Sequence, residues 1–416
     1  MINDDSNAKI EPKHYVESEV RPYTQEEQFF VDQPVIPGSY VGPVDETLPG
    51  ADKAPLLFQP LTIKNLTIQN RIVVAPMCQY SSKDGIMGDY HLVHLGQFAL
   101  NGAGLVLAEA TAVEARGRIS PHDTGIWSDA HIPGLKRVVN FVHAQGSKIG
   151  IQLGHAGRKS SVPGYYAKLE DSDYWLDEVI APTGGIAYDH HHRVPRELHI
   201  DEIPEVIKAF GQAARRANEA GMDTVEIHAA HGYLIHQFLS PFTNKRTDKY
   251  GGSLENRARL LLEVIEVVRA NFPAEKPIFV RISASDNVEH LKDEPSWDIE
   301  QTVQVAKWIH DAGVDVLHVS SAGNVAQQQI KYAPSYQVPY AERVKKAVPG
   351  LFVIAVGVIT SGTQAEQILE EGKADLVALA RGFLRYPNFV YNAAKELNVR
   401  PRYTAQYNMF LSKSTL

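Results

Sequence analysis

Eight short runs of β-branched and aliphatic residues, each followed by a longer stretch of helical spacing, constrain this chain more than any other feature. The runs are Ile72 to Ala75, Leu105 to Ala108, Lys148 to Leu153, Thr224 to His228, Ile278 to Ile282, Val316 to Ser320, Phe352 to Val356 and Leu376 to Ala380. Helical stretches lie near 90–101, 131–145, 203–220, 254–271, 299–312, 340–348, 362–371 and 387–397. Several hand over to the next strand through a glycine suited to ending a helix, as at Ala220-Gly221, Ala312-Gly313 and Glu371-Gly372. This alternation is the mark of parallel βαβ units. Eight of them predict an α/β chain closed into a (β/α)8 TIM barrel, with an open doubly wound sheet as the competing reading. Against the open sheet, Gly102-Ala103-Gly104 precedes its strand and lacks a third glycine, so it reads as a helix-to-strand turn and not as a dinucleotide cradle.

Residues 1–54 stand apart as an N-terminal extension, with 11 acids against 4 bases, whereas the other 362 residues hold 38 acids and 37 bases. Six prolines (Pro12, Pro22, Pro34, Pro37, Pro43, Pro49) and no sustained periodicity predict an extended arm, either disordered or laid over a surface. Tyr15, Tyr23, Phe29, Phe30 and Tyr40 could pin it to the body. The division expected is therefore an arm over 1–54, a barrel over 55–400 and a tail over 401–416. The net charge of −8 argues against nucleic-acid binding through phosphate neutralisation. One cysteine in 416 residues excludes a disulfide framework, a cysteine zinc site and a cysteine-ligated iron–sulfur cluster. Without a long apolar run, a membrane span is not expected, and a cytoplasmic location is the natural expectation.

A barrel places chemistry at the C-terminal ends of its strands. The first strand leads to Pro76-Met77-Cys78-Gln79-Tyr80, the second to Glu109-Ala110, and the third contains Gln152 and leads to His155. The interval from Gly154 to Asp201 is long for a loop and marks a pocket wall or lid. The fourth strand ends Glu226-Ile227-His228 and continues to His231-Gly232-Tyr233. A turn out of the strand would bring both imidazoles together as donors to a carbonyl oxygen, with Tyr233 as a proton source. A pair of histidines satisfied by backbone carbonyls is the plainer alternative. No third ligand at metal spacing accompanies them, so no metal site is expected, and His190-His191-His192 reads as a solvated run. Arg281 ends the fifth strand, where a guanidinium needs an anionic partner, either a neighbouring carboxylate such as Glu226 or a ligand. Gly357 after the seventh strand and Ala380-Arg381 at the eighth are suited to a phosphate group.

Residues 56 to about 400 resemble the Old Yellow Enzyme family of FMN-dependent ene-reductases, most closely its thermophilic-like subgroup. The likeness is carried by Asn70-Arg71-Ile72-Val73-Val74-Ala75-Pro76-Met77-Cys78-Gln79-Tyr80, by Gln152-Leu153-Gly154-His155-Ala156-Gly157-Arg158-Lys159, by Glu226-Ile227-His228-Ala229-Ala230-His231-Gly232-Tyr233-Leu234 and by Arg246-Thr247-Asp248-Lys249-Tyr250-Gly251-Gly252-Ser253. It implies bound FMN, with NADPH or NADH as reductant in a ping-pong cycle. It also implies that Pro76, Met77, Cys78, Ala110, Gln152 and Arg281 meet the isoalloxazine, Cys78 adjusting its potential, while Gly357, Ala380 and Arg381 meet the phosphate end. His228, His231 and Tyr80 would hold the oxygen of an enone or enal. Hydride would then pass to the β-carbon, and Tyr233 would protonate the α-carbon. Subgroup members carry a C-terminal arginine that reaches a neighbouring subunit's site. Here Gln406-Tyr407-Asn408-Met409-Phe410 holds none, so monomer and homodimer both stand open. Two other classes compete with this one: a flavin-free lyase or aldolase, for which Lys159 is the nearest candidate amine, and a non-catalytic barrel.

Overall fold

The computed structural model describes residues 32–164, 175 and 178–411. Most of the acidic arm, with Tyr15, Tyr23, Phe29 and Phe30, lies outside the described residues, as do 165–174 and 176–177 of the long interval after the third barrel strand.

In chain order the elements are β1 (Tyr40–Pro43), β2 (Leu61–Ile63), β3 (Leu66–Ile68), β4 (Ile72–Val74), α1 (Asp89–Leu100), β5 (Leu105–Ala112), α2 (Ile132–Ala144) and β6 (Lys148–Gly154). There follow β7 (Ile180–Ala181), β8 (Arg196–Glu197), α3 (Ile203–Glu219), β9 (Thr224–Ala229), α4 (Leu234–Leu239), α5 (Leu254–Asn271), β10 (Ile278–Ser283), α6 (Ile299–Asp311) and β11 (Val316–Ser320). The chain then forms α7 (Val338–Ala347), β12 (Phe352–Val356), α8 (Gly362–Glu370), β13 (Leu376–Leu379), α9 (Arg381–Arg385), α10 (Phe389–Glu396), β14 (Val399–Pro401) and α11 (Ala405–Leu411).

Strands β4, β5, β6, β9, β10, β11, β12 and β13 pair in that order, each parallel to its neighbours, and β13 closes on β4. The open sheet is thereby excluded, and the fold is the (β/α)8 barrel. Alternate residues of each strand face opposite sides. Outward residues such as Val74, Val106, Ile151, Val225, Val280, Leu317 and Val353 meet the buried faces of the surrounding helices in one core. Inward residues Val73, Leu105, Leu107, Phe279, Val316, Ile354 and Leu376 form a second core inside the barrel. Ile63, Leu66 and Ile68 of the β2–β3 hairpin join that inner core and plug its N-terminal end.

The described part of the arm is bound to the same N-terminal side. β1 pairs antiparallel with β14. Buried Asn70, at the entry to β4, donates its Nδ2 to the carbonyls of Gly38 (3.2 Å) and Gly102 (2.8 Å) and accepts from Ile72 N–H at Oδ1 (3.2 Å). Gly38 and Gly102 approach so closely that a Cβ on Gly38 would lie 2.2 Å from the Gly102 oxygen. The Glu366 carboxylate accepts from Leu56 N–H and Leu57 N–H at 2.7 Å each, fixing the chain that leads into the plug.

Replacing Asn70 with Ala removes its bonds to three buried backbone groups, of which the Gly102 carbonyl keeps Gln69 Nε2 at 3.4 Å, for an expected loss of about 2–3 kcal/mol. Denaturant unfolding followed by far-UV circular dichroism measures it, and an unchanged midpoint would show that Asn70 does not stitch arm and barrel.

Candidate active site

The C-terminal mouth gathers its polar side chains from four adjacent strands. Gln152 on β6 is in register with Glu226 on β9, and Arg281 on β10 is in register with His228 on β9 and His318 on β11. All five are buried. Glu226 takes Gln152 Nε2 at 2.6 Å and His318 Nδ1 at 2.9 Å. Glu226 therefore spends its oxygens on neighbours other than Arg281. Among the described residues the buried Arg281 Nε meets no hydrogen-bond partner.

After β9 the chain leaves the strand through His231 (φ +57°) and Gly232 (φ +73°), both left-handed. Glycine is required at 232, because a Cβ there would stand 2.2 Å from the carbonyl oxygen of Gly323. This turn folds His231 back beside His228, with ring centroids 5.2 Å apart and edge to face, and sets Tyr233 4.8 Å from His228. Ala230 N–H donates to His228 Nδ1 (3.3 Å), so a neutral His228 carries its proton on Nε2. His231 Nε2 lies 2.8 Å from Ser320 Oγ, and the hydroxyls of Ser320 and Ser321 donate to Gln337 Oε1. Burial first, then the charge of Arg281, push both imidazoles well below the ordinary histidine range. Both are neutral at pH 7.

A cavity of about 600 Å³ opens beside this turn, with His231, Arg281, Tyr336, Gly357, Ala380 and Arg381 in its wall. Gly357 has φ +113°, and a Cβ on it would lie 2.5 Å from the Gln337 amide nitrogen. A cleft next to it is lined by Ala110, Asp123, His155, His228 and Tyr233. Ala110 reaches that wall through a register shift between Ala108 and Ala110, which leaves Glu109 out of the pairing and sets Ala110 opposite Gln152. Glu109 in turn accepts from Gln79 N–H (3.3 Å) and Thr124 Oγ1 (3.3 Å), holding the segment that carries Pro76, Met77, Cys78 and Tyr80. Tyr80 sits at φ +51° in that segment. Of the residues expected at the site, His231, Arg281, Gly357, Ala380 and Arg381 line the cavity and Ala110, His228 and Tyr233 line the cleft, whereas Pro76, Met77, Cys78, Tyr80 and Gln152 line neither. The cavity is large enough for a ligand of cofactor size. Arg281, its Nε unmet among the described residues, on one side and Gly357 with Arg381 on another suit FMN, a flat heterocycle with a phosphate tail.

Lys159 is engaged elsewhere. Its ammonium donates to the carbonyls of His231 (2.9 Å) and Gly323 (2.7 Å) and lies 4.1 Å from the Tyr188 ring. Burial, then neighbouring Arg158, pull it down to about 7. His192 pairs with Asp189 at 2.7 Å, and among the described residues no cluster of histidine, cysteine and carboxylate suited to a metal occurs. The sequence alone does not single out His318, Ser320 and Gln337, nor the bond of Glu226 to Gln152. The available signal was polar residues at inward positions of the sixth strand, His318 and Ser320, and it takes the barrel register to read them.

The chain matches the model of the NADH:flavin oxidoreductase / NADH oxidase family over residues 56–400. It is 47% identical over 354 residues to an NADPH dehydrogenase of Bacillus velezensis, covering 85% of this chain and 98% of the relative. It is 45% identical over 363 residues to an NADH:flavin oxidoreductase of Gibberella zeae, covering 84% and 88%. The structure resembles that of morphinone reductase in complex with tetrahydroNAD, with a TM-score of 0.67 and 29% identity over 84% of this chain and 93% of the other.

Burial, then the carboxylates of Asp123 and Glu109, raise the Cys78 thiol well above its ordinary range. The thiolate is the reactive form, so alkylation by iodoacetamide at pH 8 is expected to run at least about tenfold slower than for a free cysteine. Intact-mass kinetics check this, and labelling at the free rate would refute the shielding.

Proposed function

We propose, from the premise that the chain belongs to the NADH:flavin oxidoreductase / NADH oxidase family, within its Old Yellow Enzyme branch, and is an NAD(P)H-dependent flavin oxidoreductase that uses FMN, that it reduces the activated C=C bond of α,β-unsaturated carbonyl compounds in a ping-pong cycle. The observation that carries this reading is the meeting of neutral His228 and His231 with Tyr233 beside a cavity walled by Arg281, whose Nε has no hydrogen-bond partner among the described residues.

FMN, when bound, accepts hydride from NAD(P)H and returns it to an electron-poor carbon. The chain supplies binding, orientation and protons. Arg281 meets the polar edge of the ring and stabilises negative charge there. Gln152 offers its amide to the heterocycle, Pro76, Met77, Cys78 and Ala110 line the ring, and Gly357, Ala380 and Arg381 take the phosphate. His228 donates a hydrogen bond from Nε2 to the substrate carbonyl oxygen, Tyr80 holds the same oxygen, and His231 joins them by turning its Nε2–H from Ser320 Oγ to that oxygen. Drawing charge onto that oxygen makes the β-carbon electrophilic. A neutral imidazole suits this work, since it donates a hydrogen bond without surrendering its proton. Tyr233, packed on His228, gives the proton to the α-carbon. A Schiff-base role for Lys159 fits less well, because two backbone carbonyls already hold its amine.

The visible spectrum tests cofactor and substrate class together. The flavin band is expected to bleach on anaerobic NADPH and to return on 2-cyclohexenone, and a bleached spectrum that ignores the enone would sink the substrate class. In stopped flow, Tyr233→Phe is expected to slow reoxidation by enone about 100-fold or more while leaving reduction by NADPH near wild type; the reverse pattern would remove Tyr233 as donor. His228→Ala is expected to cut the enone step by about 100-fold and to spare NADPH oxidation by oxygen. Equal losses in both would discount its hold on the carbonyl oxygen.

A further inference from the structure

Glu226 is fully buried inside the barrel, two residues before His228 on the same face of β9, and none of the roles above involves it. Toward the N-terminal end the inward positions are filled by Leu107, Phe279, Val316 and Ile354. An ionised carboxylate in such a place is costly unless each of its oxygens is met and a countercharge stands near. Gln152 and His318 meet the oxygens, at 2.6 and 2.9 Å. His318 is itself held neutral, by burial and then by the Arg281 charge, so it supplies a hydrogen bond and not a countercharge. The countercharge is Arg281, on the neighbouring strand, which keeps its own hydrogen-bonding capacity for the cavity.

Two consequences follow for a ligand at the mouth. A glutamine amide that can flip presents either a donor or an acceptor, but one whose nitrogen is tied to Glu226 turns its carbonyl oxygen away from the tie. That oxygen is the acceptor that a heterocyclic N–H requires. Arg281, meanwhile, acts on the ligand not as a full isolated charge but as one half of a buried pair with Glu226.

We propose that Glu226 is a positioning residue for FMN, fixing the amide of Gln152 so that its carbonyl faces the ring and offsetting the charge of Arg281, so that the balance of the two sets the reduction potential. This rests on the placement of FMN against Gln152 and Arg281 proposed above.

Two variants separate the two effects. Glu226→Gln keeps the shape and removes the charge, leaving Arg281 unopposed. The reduction potential of the FMN-loaded variant is expected to rise, favouring the reduced form at least tenfold, which is about 30 mV for a two-electron couple. Glu226→Asp keeps the charge and draws the carboxylate back from Gln152. It is expected to weaken FMN binding about tenfold, measured by flavin fluorescence on titrating the apoprotein, while the potential stays within about a threefold equivalent of wild type. A folded Glu226→Gln protein with the wild-type potential overturns the proposal, and so does a folded Glu226→Asp protein with wild-type FMN affinity. Circular dichroism identifies which variants fold, and either alone suffices to overturn it. Arg281→Gln serves as the control for the placement: a potential unmoved there would reject the ring's position against Arg281, a result distinct from failure of the Glu226 variants.

Discussion

The inside of an eight-stranded barrel has room for side chains and little else, so every inward position must be apolar or have its polar atoms met. This chain divides the interior accordingly. Toward the N-terminal end, Val73, Leu105, Leu107, Phe279, Val316, Ile354 and Leu376 pack on the plug of Ile63, Leu66 and Ile68. Toward the mouth, four adjacent strands turn polar with Gln152, Glu226, His228, Arg281, His318 and Ser320. Neighbours meet one another: Gln152 Nε2 and His318 Nδ1 meet Glu226, His231 meets Ser320, and Ser320 meets Gln337. Among the described residues the pairing leaves Arg281 Nε and His318 Nε2 unmet. What the protein leaves unsatisfied is then what a ligand must satisfy, and the site is defined by the end of the network as much as by its members.

The same packing fixes protonation. A histidine in water titrates near neutrality, and its role would change with pH. Here burial and the unspent charge of Arg281 act in one direction on His228, His231 and His318, and all three are held neutral. Neutral rings have one proton each, so their partners decide where it points. Ala230 N–H claims Nδ1 of His228 and leaves the Nε2 proton free for a ligand. The His231–Gly232 turn is what makes the pair converge, and it exists because backbone meets backbone at Gly323 without room for a side chain.

The barrel was legible because its strands are buried on both faces and read as unbroken apolar runs, a signal that survives without any partner in view. Its edges were less so. The run at Leu105 continues to Ala112, past the shift at Glu109, where small and polar residues interrupt the pattern. The helix expected near 340 begins at Val338, since Pro339 is tolerated in a first turn. Helix α4 is too short to show a period, and β1, β2, β3, β7, β8 and β14 are two to four residues each. At the site, Arg281 is legible because a guanidinium is costly at a strand end, and His228, His231 and Tyr233 because they fall within six residues where the strand turns out. Glu226 entered only as a partner for Arg281, and its actual contacts are set by register across β6, β9 and β11. Sequence spacing carries no information about that register.

The two ends of the barrel carry different obligations. The described segment of the arm, with β1 on β14, Asn70 on Gly38 and Gln33 bonded to Gln145 and Ala405, lies on the N-terminal side and ties the two ends of the described chain together. Its contacts are mostly backbone carbonyls and amides met by asparagine and glutamine, groups that bring no net charge. At the mouth, by contrast, a carboxylate and a guanidinium, Glu226 and Arg281, are both buried. A substitution in the arm therefore acts on how firmly the barrel is closed, whereas one in the mouth acts on the field a ligand feels. Because the inner core between them is apolar and close-packed, it offers no polar route by which a change of charge at one end would be relayed to the other.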